Sequence, residues 1–542
     1  MVQLTVMQNR RKRVVVALSV AIVVVLAVTL VIINANKILK RELEKAMGSN
    51  FSVERISVGL RGVDAYGLRF RKGGRDSIVI DRLTIRADLI GIVFKRNYSV
   101  GSLIAENPRV HLTIDKEGNF VNPFASGERK EKGTSGTVVP AFDIHRIRIN
   151  GGELYLKDER LPDAYNTITM ENRSIALDGF SYPLPSGSAK IEVSALFRGR
   201  LVSGELACSG KINVKTGGLD LTTKIKNLAL FDMNEKGPAM QAANITFAIA
   251  SSKESPKRYI IPDLAMTRPF VRIETDRKGD IVDPLHLLGG NGNGKNGNSN
   301  KNGLSVLMKE ITINDGEVLY LDGKIAQPPH PVRLEAITWK ITDFTVPFEN
   351  RWTRYAFAAR IPGKLSTATL RWEGKTNCKT LDTDAKVVLN GLDITGFKPY
   401  YRKEGDADTV RGTLGISMDL NVRSRALNAP GSAVLRDIAF ATGKGYGDKF
   451  LGAPRSMVIR LLKSGNNEIA LAFVVTGSLD DPQFDIKENF ARRIAVSLAK
   501  SLGLTVVDAG KTVIGLGAKG VQQVGKGVIG IGKGIGSLFK KR

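Results

Sequence analysis

Three glycine-lysine patterns near the C-terminus have the spacing of nucleotide-binding loops, and each lacks a part that such a loop needs. Gly515-x-Gly517-x-x-Gly520 fits the dinucleotide fingerprint, but no strand-helix-strand unit surrounds it. Gly520 to Lys526 and Gly527 to Lys533 both read G-x-x-x-x-G-K, yet Gly527 and Gly534 stand where a Ser or Thr must hold magnesium. A seven-residue repetition of Gly and Lys generates all three. The remaining chemistry-bearing residues are sparse. His111, His145, His286 and His330 show no metal-ligand spacing. Two cysteines, Cys208 and Cys378, cannot build a disulfide framework, and two inert thiols are the expected state. Asp480 and Asp481 sit beside Pro482 in turn sequence, where a solvated turn is the simpler reading than an acid/base pair. No nucleophile elbow and no H-E-x-x-H motif is present. The expectation is a protein that is not an enzyme, with no cofactor, no metal and no catalytic residue.

Binding is left, and the elements that would organise it are legible. Val14 to Ile33 is a run in which only Ser19 and Thr29 are polar, long enough as a helix to span a bilayer. Ile33-Asn34-Ala35 is a poor cleavage site, so the run predicts a retained transmembrane helix. Arg10, Arg11, Lys12 and Arg13 precede it, which favours a cytoplasmic segment 1–13 and an exported body. Segment 34–50 follows, in which Asn36 to Met47 reads as a short amphipathic helix with Ile38, Leu39, Leu43 and Ala46 on one side.

From Phe51 to Lys487 apolar residues alternate with polar ones. Leu83, Ile85, Ala87 and Leu89 form one set; Val110, Leu112 and Ile114 another; then Leu221 and Ile225, Val271 and Ile273, Ile416 and Leu420. A period of two means strands with one dry face and one wet face. The chain also repeats itself. Leu103 to Phe124 matches Leu264 to Leu285 at an offset of 161, and Ile147 to Asp158 matches Ile311 to Asp322 at an offset of 164. Each copy carries a polar, glycine-rich insert, 125–137 and 289–303, whose composition predicts a flexible loop. The expected division is therefore 51–263 and 264–487, with the first repeat beginning near 103.

Segment 488–542 is the tail. Ala491 to Leu504 reads as an amphipathic helix, and Lys519, Lys526, Lys533 and Lys540 recur every seventh residue among Val, Ile and Gly. Glycine costs about 1 kcal/mol per helical position relative to alanine, so order would come only on contact with a membrane or partner. Cations spaced in this way among apolar residues suit the interface of an anionic bilayer. The whole chain carries a net charge of +27, which points to polyanions: nucleic acid or a membrane surface. Aromatics are only 6% and are not interleaved with basic patches, which argues against nucleic acid.

The layout resembles the bacterial AsmA-like family, which includes AsmA and TamB and belongs with bridge-like lipid-transfer proteins. The carrying residues are the anchor Val14 to Ile33, the strands Val53 to Phe70 and Ile78 to Leu89, and the phrases ENPRVHLTIDKEGNFVNP and IRINGGELYLKD, with VTGSLDDPQFDI near the end of the body. Alternation by itself points first to a closed sandwich. The resemblance implies instead a mainly β, elongated, duplicated antiparallel β-groove, taco-like, whose apolar face lines a trough for acyl chains. The groove-lining candidates are then Leu83, Ile85, Leu89, Val110, Leu112, Ile114, Leu221, Ile225, Val271, Ile273, Ile416 and Leu420. It also implies an inner-membrane anchor, a periplasmic body in a Gram-negative envelope, phospholipids as partners and a role in outer-membrane biogenesis. The alternative is an assembly factor or scaffold for outer-membrane β-barrel proteins, without lipid transport.

Overall fold

The computed structural model describes residues 36–501 apart from position 46 and the stretches 60, 73, 88–98, 122–141, 183–187, 214–215, 217, 234–236, 253–257, 283–304, 402–406, 442–448, 452, 465, 482–495 and 499. The expected transmembrane run, the loops 125–137 and 289–303, Leu89, and the four tail lysines lie outside the described residues. Among the described residues no helix is long and apolar enough to cross a membrane.

The fold is mainly β, and its strands are long, as one-face-apolar sequence allows. Two compact units meet between Leu221 and Thr222, within the strand Gly218–Phe231 and ahead of the expected division at 263/264. In the first unit Gly62–Lys72, Arg75–Ala87 and Ser99–Glu106 pair antiparallel in sequence order, as do Thr167–Tyr182, Ala189–Gly199 and Val202–Asn213. In the second unit Ser305–Asp322 is followed by the strands His330–Val346, Trp352–Ile361, Ala368–Asn377, Thr383–Asp393, Thr409–Arg423, Ala426–Phe440 and Glu468–Ser478, each antiparallel to the one before it.

The sheet is mixed rather than wholly antiparallel. Ser99–Glu106 and Arg109–Ile114 lie parallel to Phe142–Asn150 and Glu153–Asp158. Leu264–Thr275 lies parallel to Ser305–Asp322. Parallel neighbours need a crossover too long for a tight turn, and the two glycine-rich inserts lie inside these two crossovers. The duplication is therefore structural as well as sequential. Val110 stands opposite Leu154 and Leu112 opposite Leu156; Val271 stands opposite Val318 and Ile273 opposite Tyr320. These are the same positions in each copy.

Each copy also bends the same neighbouring strands. In the first, Asn107 (φ 48°) before Pro108, Gly151 and Gly152 (φ 64° and 93°), and a bulge between Asn172 and Ser174 interrupt adjacent strands. In the second, Arg268 (φ 49°) before Pro269, Asp315 (φ 54°) before Gly316, and Ala336 (φ 49°) do so. The extra residue of a bulge shifts which sequence positions face the same side. Ile168 and Met170 before Arg173 therefore share a face with Ile175 and Leu177 after it, because they pair with Gly199, Phe197, Val193 and Ile191, alternate residues of one regular strand. The apolar face survives the bend.

Large buried side chains concentrate in one place within each unit. Phe51, Val53, Ile56, Ala65 and Leu68 form a small core in the first, with Leu43 of the helix 36–45 against it. In the second, Val422, Leu427, Leu435, Ile469, Leu471, Phe473 and Val475 are sealed by Val458 and Leu462 of the helix Arg455–Ser464 and by Leu498. Val458 and Leu462 are one helical turn apart, which puts them on one face.

Candidate functional site

Strand register places apolar side chains in continuous rows across the sheet. In the first unit Val63, Ile85, Leu103, Ile147, Leu177 and Ile191 oppose one another in succession. Ala65, Leu83, Ala105, Ile149, Ile175 and Val193 form the row beside it. In the second unit one row runs Ile245, Met266, Ile313, Trp339, Phe357, Trp372, Val387, Met418, Gly431 and Phe473. Its neighbour runs Phe247, Leu264, Ile311, Ile341, Tyr355, Gly374, Ala385 and Leu420. Directly opposed side chains on a pleated face lie within contact distance, so each row is a strip of apolar surface.

The opposite face is polar and cross-linked by charge. Asp64 accepts hydrogen bonds from Thr84 Oγ1 (2.6 Å), Arg86 (3.0 Å) and Arg82 (3.1 Å). Partial burial works to raise its carboxyl, and these donors overcome that and hold it below the ordinary carboxylate range. Arg148 pairs with Asp178 at 2.7 Å, Lys340 with Glu310 at 3.0 Å, and Lys375 with Asp384 at 3.5 Å. Trp352 belongs to this wet face, with the Lys375 ammonium 4.8 Å from its ring centre.

The apolar rows are only half covered. Leu83, Ile85, Val110, Leu112, Ile114, Leu221, Ile225, Val271, Ile273, Ile416 and Leu420 are all intermediate in exposure, and none is sealed. They are not equivalent, however. Leu83 packs at the margin of the first-unit core, and Ile416 and Leu420 at the margin of the second-unit core. Val110, Leu112, Val271 and Ile273 belong to neither cluster. The most open apolar side chains of the row were missed by sequence alternation: Trp339 is 36% exposed and Trp372 is 40% exposed. Phe357 stands between them, edge-on to Trp339 at 5.7 Å, and Tyr355 is edge-on to Trp372 at 5.5 Å. Such edge-to-face contacts fix aromatic rings without hiding them. Along the same row exposure then falls, through half-buried Met418 to Phe473 at 5%. An open aromatic strip leads into a closed core.

Among the described residues no three His, Cys, Asp or Glu side chains are grouped as a metal site. Cys208 and Cys378 are thiols rather than a disulfide, and burial pushes the Cys378 thiol up, away from the reactive thiolate. Compared with known proteins, the sequence matches no family model, no curated protein and no solved structure.

Proposed function

We propose that the chain is a lipid-binding and lipid-transfer protein of the cell envelope, of the AsmA-like kind, whose apolar rows form a trough for phospholipid acyl chains. The observation that carries this reading is the exposure of Trp339 and Trp372 in one register row, on the face that ion pairs avoid. A contiguous apolar strip open to water is costly unless something hydrophobic occupies it. An acyl chain recovers about 0.8 kcal/mol for each methylene it buries, and its length suits a row that crosses many strands. Cations on the reverse face and in the tail, at Lys519, Lys526, Lys533 and Lys540, suit the headgroups of an anionic membrane. In this account Val14 to Ile33 anchors the protein in the inner membrane and the body carries phospholipid through the periplasm toward the outer membrane, supporting its biogenesis.

Mass spectrometry of lipid bound to the full chain after mild detergent extraction tests the proposal. Phospholipid at a constant ratio to protein is expected. Protein that emerges lipid-free, and that crosslinks instead to precursors of outer-membrane barrels, would replace this reading with the assembly-factor alternative.

A further inference from the structure

The helix at 36–45 makes an unusual set of contacts with the first unit. Phe51–Ser52 and Arg55–Gly59 pair with Gly62–Lys72, so their backbone groups on the other side face away from that neighbour. The helix lies along this side and supplies the missing partners from one face. Val58 N–H donates to Asn36 Oδ1 at 2.7 Å, Lys40 Nζ donates to the Glu54 carbonyl at 3.0 Å, and Val53 N–H donates to Glu44 Oε1 at 3.3 Å. Asn36, Lys40 and Glu44 are spaced four residues apart, the interval that aligns side chains along a helix. They stand where an adjoining strand would put its amides and carbonyls, and they protect an edge otherwise open to pairing. Leu43, on the same side, enters the core.

The amphipathic reading of the sequence is corrected at one residue. Ile38 does not join Leu43 and is 61% exposed; Leu39, one turn before Leu43 on the same face, is 38% exposed at the margin of the contact. Beside them Lys37, Arg41 and Lys45 are exposed at the same four-residue interval. Cations interspersed with exposed apolar side chains describe a helix that lies in a membrane interface. Two residues separate the apolar run Val14 to Ile33 from Asn36, so any bilayer that holds the run is within reach of the helix.

We propose that this helix is a two-sided strut: Lys37, Arg41 and Lys45 bind the anionic surface of the anchoring bilayer, Ile38 enters its headgroup boundary, and Asn36, Lys40 and Glu44 clamp the sheet edge to that surface. The proposal is independent of whether acyl chains occupy the apolar rows. Each juxtamembrane cation contributes to attraction by the surface potential, and three together give a preference on the order of a hundredfold for an anionic over a neutral bilayer.

The test is hydrogen exchange of the full chain reconstituted in phosphatidylcholine bilayers with and without phosphatidylglycerol. Exchange across 36–45 is expected to slow in the anionic bilayer. The variant K37Q/R41Q/K45Q should lose that lipid dependence while the Val53 and Val58 amides stay protected; N36A/E44A should expose those two amides and leave the helix bound to lipid. Equal exchange of 36–45 in the two bilayers overturns the proposal. So does a photoreactive residue introduced at position 38 that crosslinks to a protein rather than to phospholipid.

Discussion

Gly152 lies so close to Pro108 that a Cβ at this position would stand 2.4 Å from the proline carbonyl oxygen and 2.6 Å from its Cδ. Its φ of 93° is also in the region that side chains avoid. The second copy places Gly316 on Pro269, but there a Cβ would meet only side-chain carbons, at 3.1–3.3 Å, and of the two positive φ values only that of Asp315, the counterpart of Gly151, is kept. The bend is duplicated while its tolerance is not. Gly152→Ala is therefore expected to cost about 2 kcal/mol or more, and Gly316→Ala clearly less, in urea unfolding followed by circular dichroism. Equal losses would show that the two bends are not built as described.

The half-covered rows and the sealed core make different demands on a charge. Leu112 and Ile273 are partly exposed, so a carboxylate there keeps some of its water. Val475 is 0% exposed, and a carboxylate there loses all of it. Leu112→Asp and Ile273→Asp should each cost about 1–2 kcal/mol, against at least about 4 kcal/mol for Val475→Asp. The first two should also lower the amount of co-purifying phospholipid. Losses of similar size at all three positions would place Leu112 and Ile273 in a closed interior.

Acid should loosen the wet face through Asp178. The hydrogen bond from Arg148 holds its carboxyl below the ordinary value of 3.8, helped by the charges of Arg148 and Arg146 and opposed by slight desolvation. A folded-state value below the unfolded one means that the stabilisation is complete above 3.8 and disappears as pH falls through the lowered value. The gap in urea midpoint between the wild type and Asp178→Asn should be constant at higher pH and close below 3.8. A gap that persists unchanged through acid would contradict the assignment. The pair is partly solvent-exposed, so its effect on the midpoint is small.

Much of this arrangement is written in the sequence, and the parts that are not have identifiable causes. The period of two in Val110, Leu112 and Ile114 or in Leu414, Ile416 and Met418 reports a one-face-apolar strand because side chains alternate across a pleat. The 161- and 164-residue offsets likewise anticipate the matched registers of the two copies. The parallel pairs were hidden because alternation says nothing about which strand lies alongside which. Bulges at Arg173 and around Ala336 break the parity of the pattern, so Ile168 and Ile175, or Leu334 and Trp339, do not look like members of one face. Trp339 and Trp372 were passed over for a related reason: each sits in a strand whose neighbouring positions are charged, with Lys340 beside one and Arg371 and Glu373 beside the other. Register across strands, not hydropathy along them, reveals the row.

The central claim is that hydrocarbon lies against the Trp339–Phe357–Trp372 row, and the three tryptophans of the chain allow a direct test. Tryptophan fluorescence of the full chain should be measured while phospholipid brominated on its acyl chains is exchanged into the bound pool. Bromine quenches only on contact, so wild type and Trp352→Phe should both dim strongly, whereas the variant W339F/W372F, left with Trp352 on the wet face, should not. Lipid that binds without quenching Trp339 and Trp372, or that quenches Trp352 as strongly, would contradict the account.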